Sequence, residues 1–188
     1  LNWAVYFCDF GRYQNPVPDG ASPFASDANV SYKRSALEAI RPVWQESFHE
    51  TAVNSALTAR GDALALSPEI VVYQHRSGLR LGSALRERFI WGRSYAATRG
   101  RLAGGAKRAV YAALSPALPA VLLARMTANV ARKGRLGGAF VRALPLTAML
   151  VVSWSLGELV GYVTARAGAP IIGLTGTYHN LLRMWADT

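Results

Sequence analysis

The sequence predicts an α/β domain followed by a membrane-associated α-helical hairpin. Residues up to about 106 have the mixed composition of a soluble α/β segment, residues 109–173 are apolar with one basic interruption, and a basic amphipathic helix separates the two parts. The net charge of +10 indicates an anionic partner, such as an anionic membrane, nucleic acid or a phosphorylated substrate. The single cysteine, Cys8, excludes an internal disulfide and a multi-cysteine zinc site.

The first elements are short. Residues 1–13 are rich in aromatic side chains, and their periodicity fits either a helix or a strand. Prolines and a glycine predict a loop over residues 15–23. Residues 29–33 alternate like a short strand, and Ser35 followed by Glu38 fits a capping box at the start of a helix.

A helix anchored by tryptophan follows. We expect it to begin at Pro42, where a first turn tolerates proline, and to end at Gly61, which suits a left-handed cap. Its apolar face carries Trp44 and Phe48 at helical spacing. Its polar face carries two carboxylates and an imidazole, those of Glu46, Glu50 and His49. One or two short strands are then predicted over residues 64–66 and 70–75, and His75 ends the second stretch.

A basic helix is predicted over residues 83–101, within a juxtamembrane part that we place at residues 83–108. Its cations are Arg86, Arg88, Arg93, Arg99, Arg101, Lys107 and Arg108. Only Glu87 offsets this charge, which disfavours an ordinary solvated face. A basic amphipathic helix before an apolar region is typical of an element that meets anionic headgroups, each cation contributing about 1 kcal/mol.

The apolar part, residues 109–166, is predicted to form a membrane-embedded hairpin before a tail at 167–188. Residues 109–124 span about 24 Å as a helix, which is short of the roughly 30 Å hydrocarbon core, so they form either a kinked span or a re-entrant or interfacial helix. Residues 144–165 are long enough to span. Glu158 opposes insertion there, and we expect it to contact an arginine and lock the hairpin. Gly157 and Gly161 flank Glu158 on a small-residue face suited to close helix packing. The basic connection leaves the topology open.

Five motifs, taken in order, resemble membrane-associated bacterial members of the family 2 glycosyltransferases. They are Asp-Ala-Asn-Val-Ser-Tyr-Lys-Arg at 27–34, Trp-Gln-Glu-Ser-Phe-His at 44–49, Gly61 with its following strand, Phe-Ile-Trp-Gly-Arg at 89–93 and Gly-Glu-Leu-Val-Gly-Tyr at 157–162. The resemblance implies that residues 1–82 are the acceptor-side part of a GT-A fold. It also implies that the nucleotide-binding half lies upstream of Leu1, so that this fragment alone is inactive.

The resemblance also implies roles for individual residues. Glu46 would be the general base of an inverting transfer from a nucleotide-sugar to a lipid-linked or polysaccharide acceptor. Mg²⁺ or Mn²⁺ would be bound mainly by the upstream half, with no metal ligand in this chain. The expected location is the cytoplasmic face of a bacterial inner membrane. The substrate-binding residues implied or suggested with this family are Asp27, Asn29, Trp44, His49, His75, Arg88 and Arg93.

One different class stays open from the residues alone. It is a non-enzymatic, basic, membrane-anchored module that binds anionic lipid or partner helices. Nucleic-acid binding is disfavoured, because the cations cluster beside apolar segments and do not interleave with aromatic residues on a soluble face.

Overall fold

The structure, a computed structural model, describes residues 1–26, 29–45, 48, 50–73 and 77–166. The chain divides into two compact units: a helical unit made of Leu1–Gly11 with Arg76–Thr188, and a mixed unit made of Arg12–His75. In chain order the helices and strands are α1 (Asn2–Asp9), β1 (Gly20–Ser22), α2 (Arg34–Ala39), α3 (Arg41–Trp44), α4 (Glu50–Ala59), β2 (Leu64–Leu66), α5 (Leu81–Leu114), α6 (Leu118–Lys133) and α7 (Gly137–Thr164). Single 3₁₀ turns at Gly11–Tyr13 and Ser115–Ala117 complete the described elements.

The mixed unit packs its helices around a small apolar core. Its buried members are Ile40, Val53, Leu57 and Leu64, against which the rings of Tyr32, Trp44 and Phe48 pack. Strands β1 and β2 pair antiparallel, with Ala21 opposite Ala65. This two-stranded sheet is the one sheet among the described residues, which are mostly helical. The GT-A fold therefore stays a prediction.

Several predicted boundaries in the mixed unit were correct. Gly61 has φ 88° and ends α4 as expected, with the amides of Gly61 and Asp62 donating to the carbonyls of Thr58 and Leu57 at 3.0 Å. Strand β2 lies where it was predicted.

Other predictions in this unit were wrong. The tryptophan helix is two helices, because α3 ends at Trp44 and α4 begins at Glu50. Ser35 lies inside α2 and Lys33 occupies the N-cap, so the capping box is absent. No strand forms over residues 29–33 or 70–73.

The helical unit has a separate core at the start of α7. Phe7 of α1 meets Phe140 edge to face, with ring centroids 5.0 Å apart. Val130 of α6 and Leu150 of α7 belong to the same buried cluster. Helix α5 is longer than predicted and contains Gly104 at φ 75°, which breaks its helical backbone. Helix α7 is also longer than predicted and continues through Pro145.

Helices α5 and α7 lie side by side and run in the same direction. The Ser153 hydroxyl donates to the carbonyl of Leu85 at 2.7 Å. One turn further on, Gly157 faces the backbone of Phe89, and another turn on, Gly161 faces the backbone of Arg93. The contacts therefore advance together by four residues along both helices. Gly157 and Gly161 form the small-residue face that the sequence predicted, and it permits close backbone approach.

Candidate functional site

The exposed face of α7 is apolar over most of its length. Its exposed side chains from residue 143 to residue 164 are those of Leu144, Pro145, Met149, Val152, Leu156 and Val163, with Thr164 at the end of the helix as the one polar exception. The polar residues Thr147, Ser155 and Glu158 on the same helix are buried. A surface helix of a water-soluble protein has the opposite distribution, with its polar side outward. The distribution on α7 is typical of a helix whose outer side meets lipid, since ionisable groups in such helices face protein.

Two helical stretches among the described residues are long and apolar enough to cross a membrane, Ala103–Lys133 and Gly137–Thr164. Length and composition alone are weak evidence, because a buried core helix of a soluble protein passes the same test. Here the apolar windows are only 6% and 33% buried inside the protein. Neither stretch therefore has the burial expected of a core helix.

A polar and aromatic cluster lies on the protein-facing side of α7. Glu158 accepts a hydrogen bond from the indole N–H of Trp154 at 2.5 Å and another from the hydroxyl of Tyr162. Arg99 of α5 donates to that same hydroxyl at 3.4 Å, and its guanidinium lies 4.1 Å from the ring centre of Tyr111. The expected link between Glu158 and an arginine thus runs through Tyr162. The spacing of four residues between Trp154, Glu158 and Tyr162 is the feature of the sequence that could have indicated this cluster.

A second buried charged contact joins α1 to α5. Arg88, 8% exposed, forms a two-pronged ion pair with Asp9, with Nη2 2.5 Å from Oδ2 and Nη1 in contact with Oδ1. Burial, the largest single effect, lowers the pKa of Arg88, but the charge and the hydrogen bond of Asp9, with the charges of Cys8 and Glu87, together raise it by more, so the net pKa is raised. Burial raises the pKa of Cys8 to about 12, against the positive charge of Arg88. Arg88, predicted to bind substrate, is therefore engaged inside the protein.

The structure places only part of the predicted substrate site. The catalytic candidate Glu46, together with Asp27, His49 and His75, lies outside the described residues. Asn29 is exposed and donates to the carbonyl of Ile70 at 3.2 Å, while the Trp44 indole donates to the carbonyl of Leu37 at 2.8 Å. Arg93 donates through Nε to the carbonyl of Arg166 at 3.1 Å.

The mixed unit holds a hydrogen-bond network that the sequence did not indicate. Asn54 of α4, buried, donates to the carbonyl of Ala25 at 3.1 Å and accepts from the Tyr32 hydroxyl at 2.8 Å. The Tyr13 hydroxyl also bonds to the carbonyl of Ala25, at 2.9 Å, and lies 3.1 Å from Oε1 of Glu50. This network fixes the loop that precedes residue 27 against α4.

Within the described ranges, no group of three His, Cys, Asp or Glu side chains is placed to hold a metal ion. The three histidines of the chain, at positions 49, 75 and 179, all lie outside these ranges.

Comparison with known proteins gives one family match. Residues 163–187 match the PKHD-type hydroxylase C-terminal domain. This short segment is far less than half of the chain, so it does not assign the whole chain to that family. No curated protein and no solved structure matches the chain.

The family match overturns the predicted enzyme class. The matched family consists of 2-oxoglutarate-dependent Fe(II) oxygenases, so the assignment to the family 2 glycosyltransferases, the sugar-transfer reaction and the Mg²⁺ or Mn²⁺ cofactor were wrong. The non-enzymatic module that was left open gains no support from the match. The error arose because five short motifs, none decisive alone, carried the resemblance.

Proposed function

We propose that the helical unit works in contact with a lipid bilayer, and that the exposed face of α7 is its lipid-contacting surface. The single observation that supports this is the inverted arrangement of α7, with apolar side chains outward and Thr147, Ser155 and Glu158 inward. We further propose that this membrane is a bacterial inner membrane and that the chain lies at its cytoplasmic face. The apolar face of α7 is compatible with this location but does not specify it.

The size of the apolar face is sufficient for reversible membrane binding. Five of its side chains, those of Leu144, Met149, Val152, Leu156 and Val163, are between 37% and 65% exposed. Fully burying such a side chain stabilises by about 1.5–3 kcal/mol, so burying the exposed part contributes about 1 kcal/mol each. The total of roughly 5 kcal/mol resembles that of a single myristoyl chain, which binds membranes marginally by itself.

Charge supplies a second attraction, to anionic headgroups. Between Glu87 and Glu158 the sequence contains no Asp or Glu but eleven Lys and Arg residues. Four of them surround the connection between α6 and α7, namely Arg132, Lys133, Arg135 and Arg142. Each cation near an anionic surface contributes about 1 kcal/mol, which would convert marginal binding into firm binding. Anionic lipid is therefore the proposed partner.

Vesicle flotation with two charge-matched variants tests the proposal. Leu156→Asp places a carboxylate on the lipid-contacting face, whereas Ser55→Asp adds the same charge at an exposed position of α4. We expect Leu156→Asp to lower the partition coefficient at least tenfold, because the lost burial and the inserted charge together exceed about 1.4 kcal/mol. Ser55→Asp should float like the unmodified chain. Equal flotation of all three proteins would contradict a lipid-contacting role for α7.

The family match favours a second candidate function. Because residues 163–187 match a C-terminal domain of hydroxylases, we propose that the chain belongs to a 2-oxoglutarate-dependent Fe(II) oxygenase system. The described residues do not fit an iron centre, since they contain no cluster of three metal-ligating side chains. No iron ligand is therefore assigned within the part of the chain that the structure describes.

Turnover of the co-substrate tests this second candidate. The full chain would be incubated with Fe(II), ascorbate, oxygen and 2-oxoglutarate, and succinate would be measured. We expect succinate above the level of a heat-denatured sample, and a loss of that excess when a chelator removes iron. Succinate equal to the denatured sample would contradict oxygenase activity of this chain, and it would leave the membrane proposal unaffected.

A further inference from the structure

We infer that α7 lies in the plane of the membrane interface and does not cross the bilayer. This inference rests on the proposed lipid contact and specifies its geometry. It follows from the position of α5, which lies alongside α7 and runs in the same direction. The residue pairs Leu85 with Ser153, Phe89 with Gly157 and Arg93 with Gly161 fix the relative height of the two helices.

A spanning α7 would carry the charged start of α5 into the bilayer. The pairing places Arg86 near the height of residue 154 and Arg80 near that of residue 148, and both arginines are exposed. The middle of α7 (Gly137–Thr164) lies near residue 150, so at 1.5 Å per residue each arginine would stand within about 6 Å of the mid-plane. An arginine there disfavours insertion by roughly 60- to 300-fold. Two such penalties cancel the favourable partition of the apolar face of α7.

An in-plane helix avoids this cost. The exposed residues Val141, Val152 and Val163 are spaced by eleven, which returns to nearly the same side of a helix every three turns. They define one continuous apolar side over about 33 Å of helix. An interfacial helix buries such a side about 5–10 Å deep and leaves its other side in water. The exposed arginines of α5 then remain hydrated, and Glu158 stays on the protein-facing side.

The partner that fits this surface is the acyl layer just beneath the headgroups. A long apolar side with cations near its beginning matches a surface that is apolar below and anionic above. The cations Arg132 and Lys133 are the last residues of α6, Arg135 follows in the connection, and Arg142 is next to Val141 in the sequence.

Depth-dependent quenching distinguishes the two orientations. In a Cys8→Ala background, single cysteines at positions 141, 152 and 163 would carry an environment-sensitive fluorophore, in vesicles whose lipids carry quenchers at defined acyl depths. A fourth label at Ser83, exposed on α5 near the height of residue 151, reports the protein side. We expect the three α7 labels at one shallow depth of about 5–10 Å, and the Ser83 label in water.

Each alternative outcome has a distinct meaning. If the label at 152 lies about 15 Å deep while those at 141 and 163 lie near opposite surfaces, α7 spans and this inference is overturned. A Ser83 label quenched by deep quenchers would also overturn it. In either case the proposed contact between α7 and lipid would still be supported. If no α7 label is quenched at any depth, the proposed function itself fails, and self-association of the chain would then be the explanation for the apolar face.

Discussion

Substitution of Gly157 by alanine tests the packing that positions the lipid-contacting face. A Cβ atom at Gly157 would overlap the carbonyl oxygen of Phe89 and lie within 3.0 Å of the amide nitrogen of Arg93. The three nearest atoms are all backbone atoms of α5, so the overlap cannot be relieved by rotation of a side chain. Helices α5 and α7 would therefore have to move apart where they are in contact.

The expected magnitude follows from two opposing effects. Overpacking of a well-packed contact costs about 1–3 kcal/mol, and backbone neighbours place Gly157→Ala at the upper end. Alanine also favours the helix over glycine by about 1 kcal/mol. We therefore expect a net loss of about 2 kcal/mol. Gly138→Ala is the matched control, because Gly138 lies on the same helix and a Cβ there meets nothing within 4 Å. It should gain up to about 1 kcal/mol.

Urea unfolding followed by far-ultraviolet circular dichroism, in one detergent for all variants, measures both effects. The account predicts that Gly157→Ala is less stable than Gly138→Ala by about 3 kcal/mol, with similar m-values. If Gly157→Ala were as stable as the control, the close α5–α7 contact would be wrong. The relative height of the two helices, and the in-plane geometry that depends on it, would then lose their basis.

Three further predictions concern buried polar groups. Asp9→Asn should destabilise the helical unit by about 3–5 kcal/mol by leaving Arg88 without its anion, whereas exposed Asp19→Asn should have little effect on thermal unfolding. Cys8 should react with iodoacetamide about a thousandfold more slowly than an ordinary thiol at pH 8, because its pKa is raised from 9.0 to about 12. The neutral thiol of Cys8 contributes to the free energy of unfolding fully below pH 9, and this contribution is lost as the pH rises towards 12. Comparison of the alkaline unfolding of the unmodified chain with that of a Cys8→Ala variant would check this. Asn54→Leu should cost about 1–3 kcal/mol in the mixed unit and speed its proteolysis, because the Tyr32 hydroxyl and the Ala25 carbonyl lose their partner; unchanged protease resistance would contradict this.

The features predicted correctly are local ones. Gly61 as a left-handed cap, the strand at residues 64–66 and the small-residue face of Gly157 and Gly161 each depend on a few neighbouring residues. The extent of α7 was underestimated, because the predicted span was limited to the apolar run after Arg142, whereas packing against α1 and α6 supports a continuous helix from Gly137.

The features that were missed depend on residues far apart in sequence. Asp9 pairs with Arg88 across 79 positions, and Arg99 reaches Tyr162 across 63. Periodicity carries no information about such pairs. Residues 70–73 have strong strand propensity, yet no strand pairs with them among the described residues.

The enzymatic prediction failed for a different reason. Short motifs determine a function only when geometry brings their residues together, and the central candidate, Glu46, lies outside the described part of the chain. The membrane prediction depends instead on a long pattern of apolar and polar positions. That pattern was visible in the sequence from residue 144 onward, and the structure adds which side of α7 is exposed.

Binding to uncharged vesicles at high salt tests the central claim most directly. At 1 M salt the Debye length falls to about 3 Å, so attraction through the basic residues is largely screened. If the apolar face of α7 contacts lipid, the unmodified chain should still float with zwitterionic vesicles at that salt concentration, more weakly than with anionic vesicles at low salt. Complete release from zwitterionic vesicles at 1 M salt would show that charge alone drives the association, and it would contradict the account.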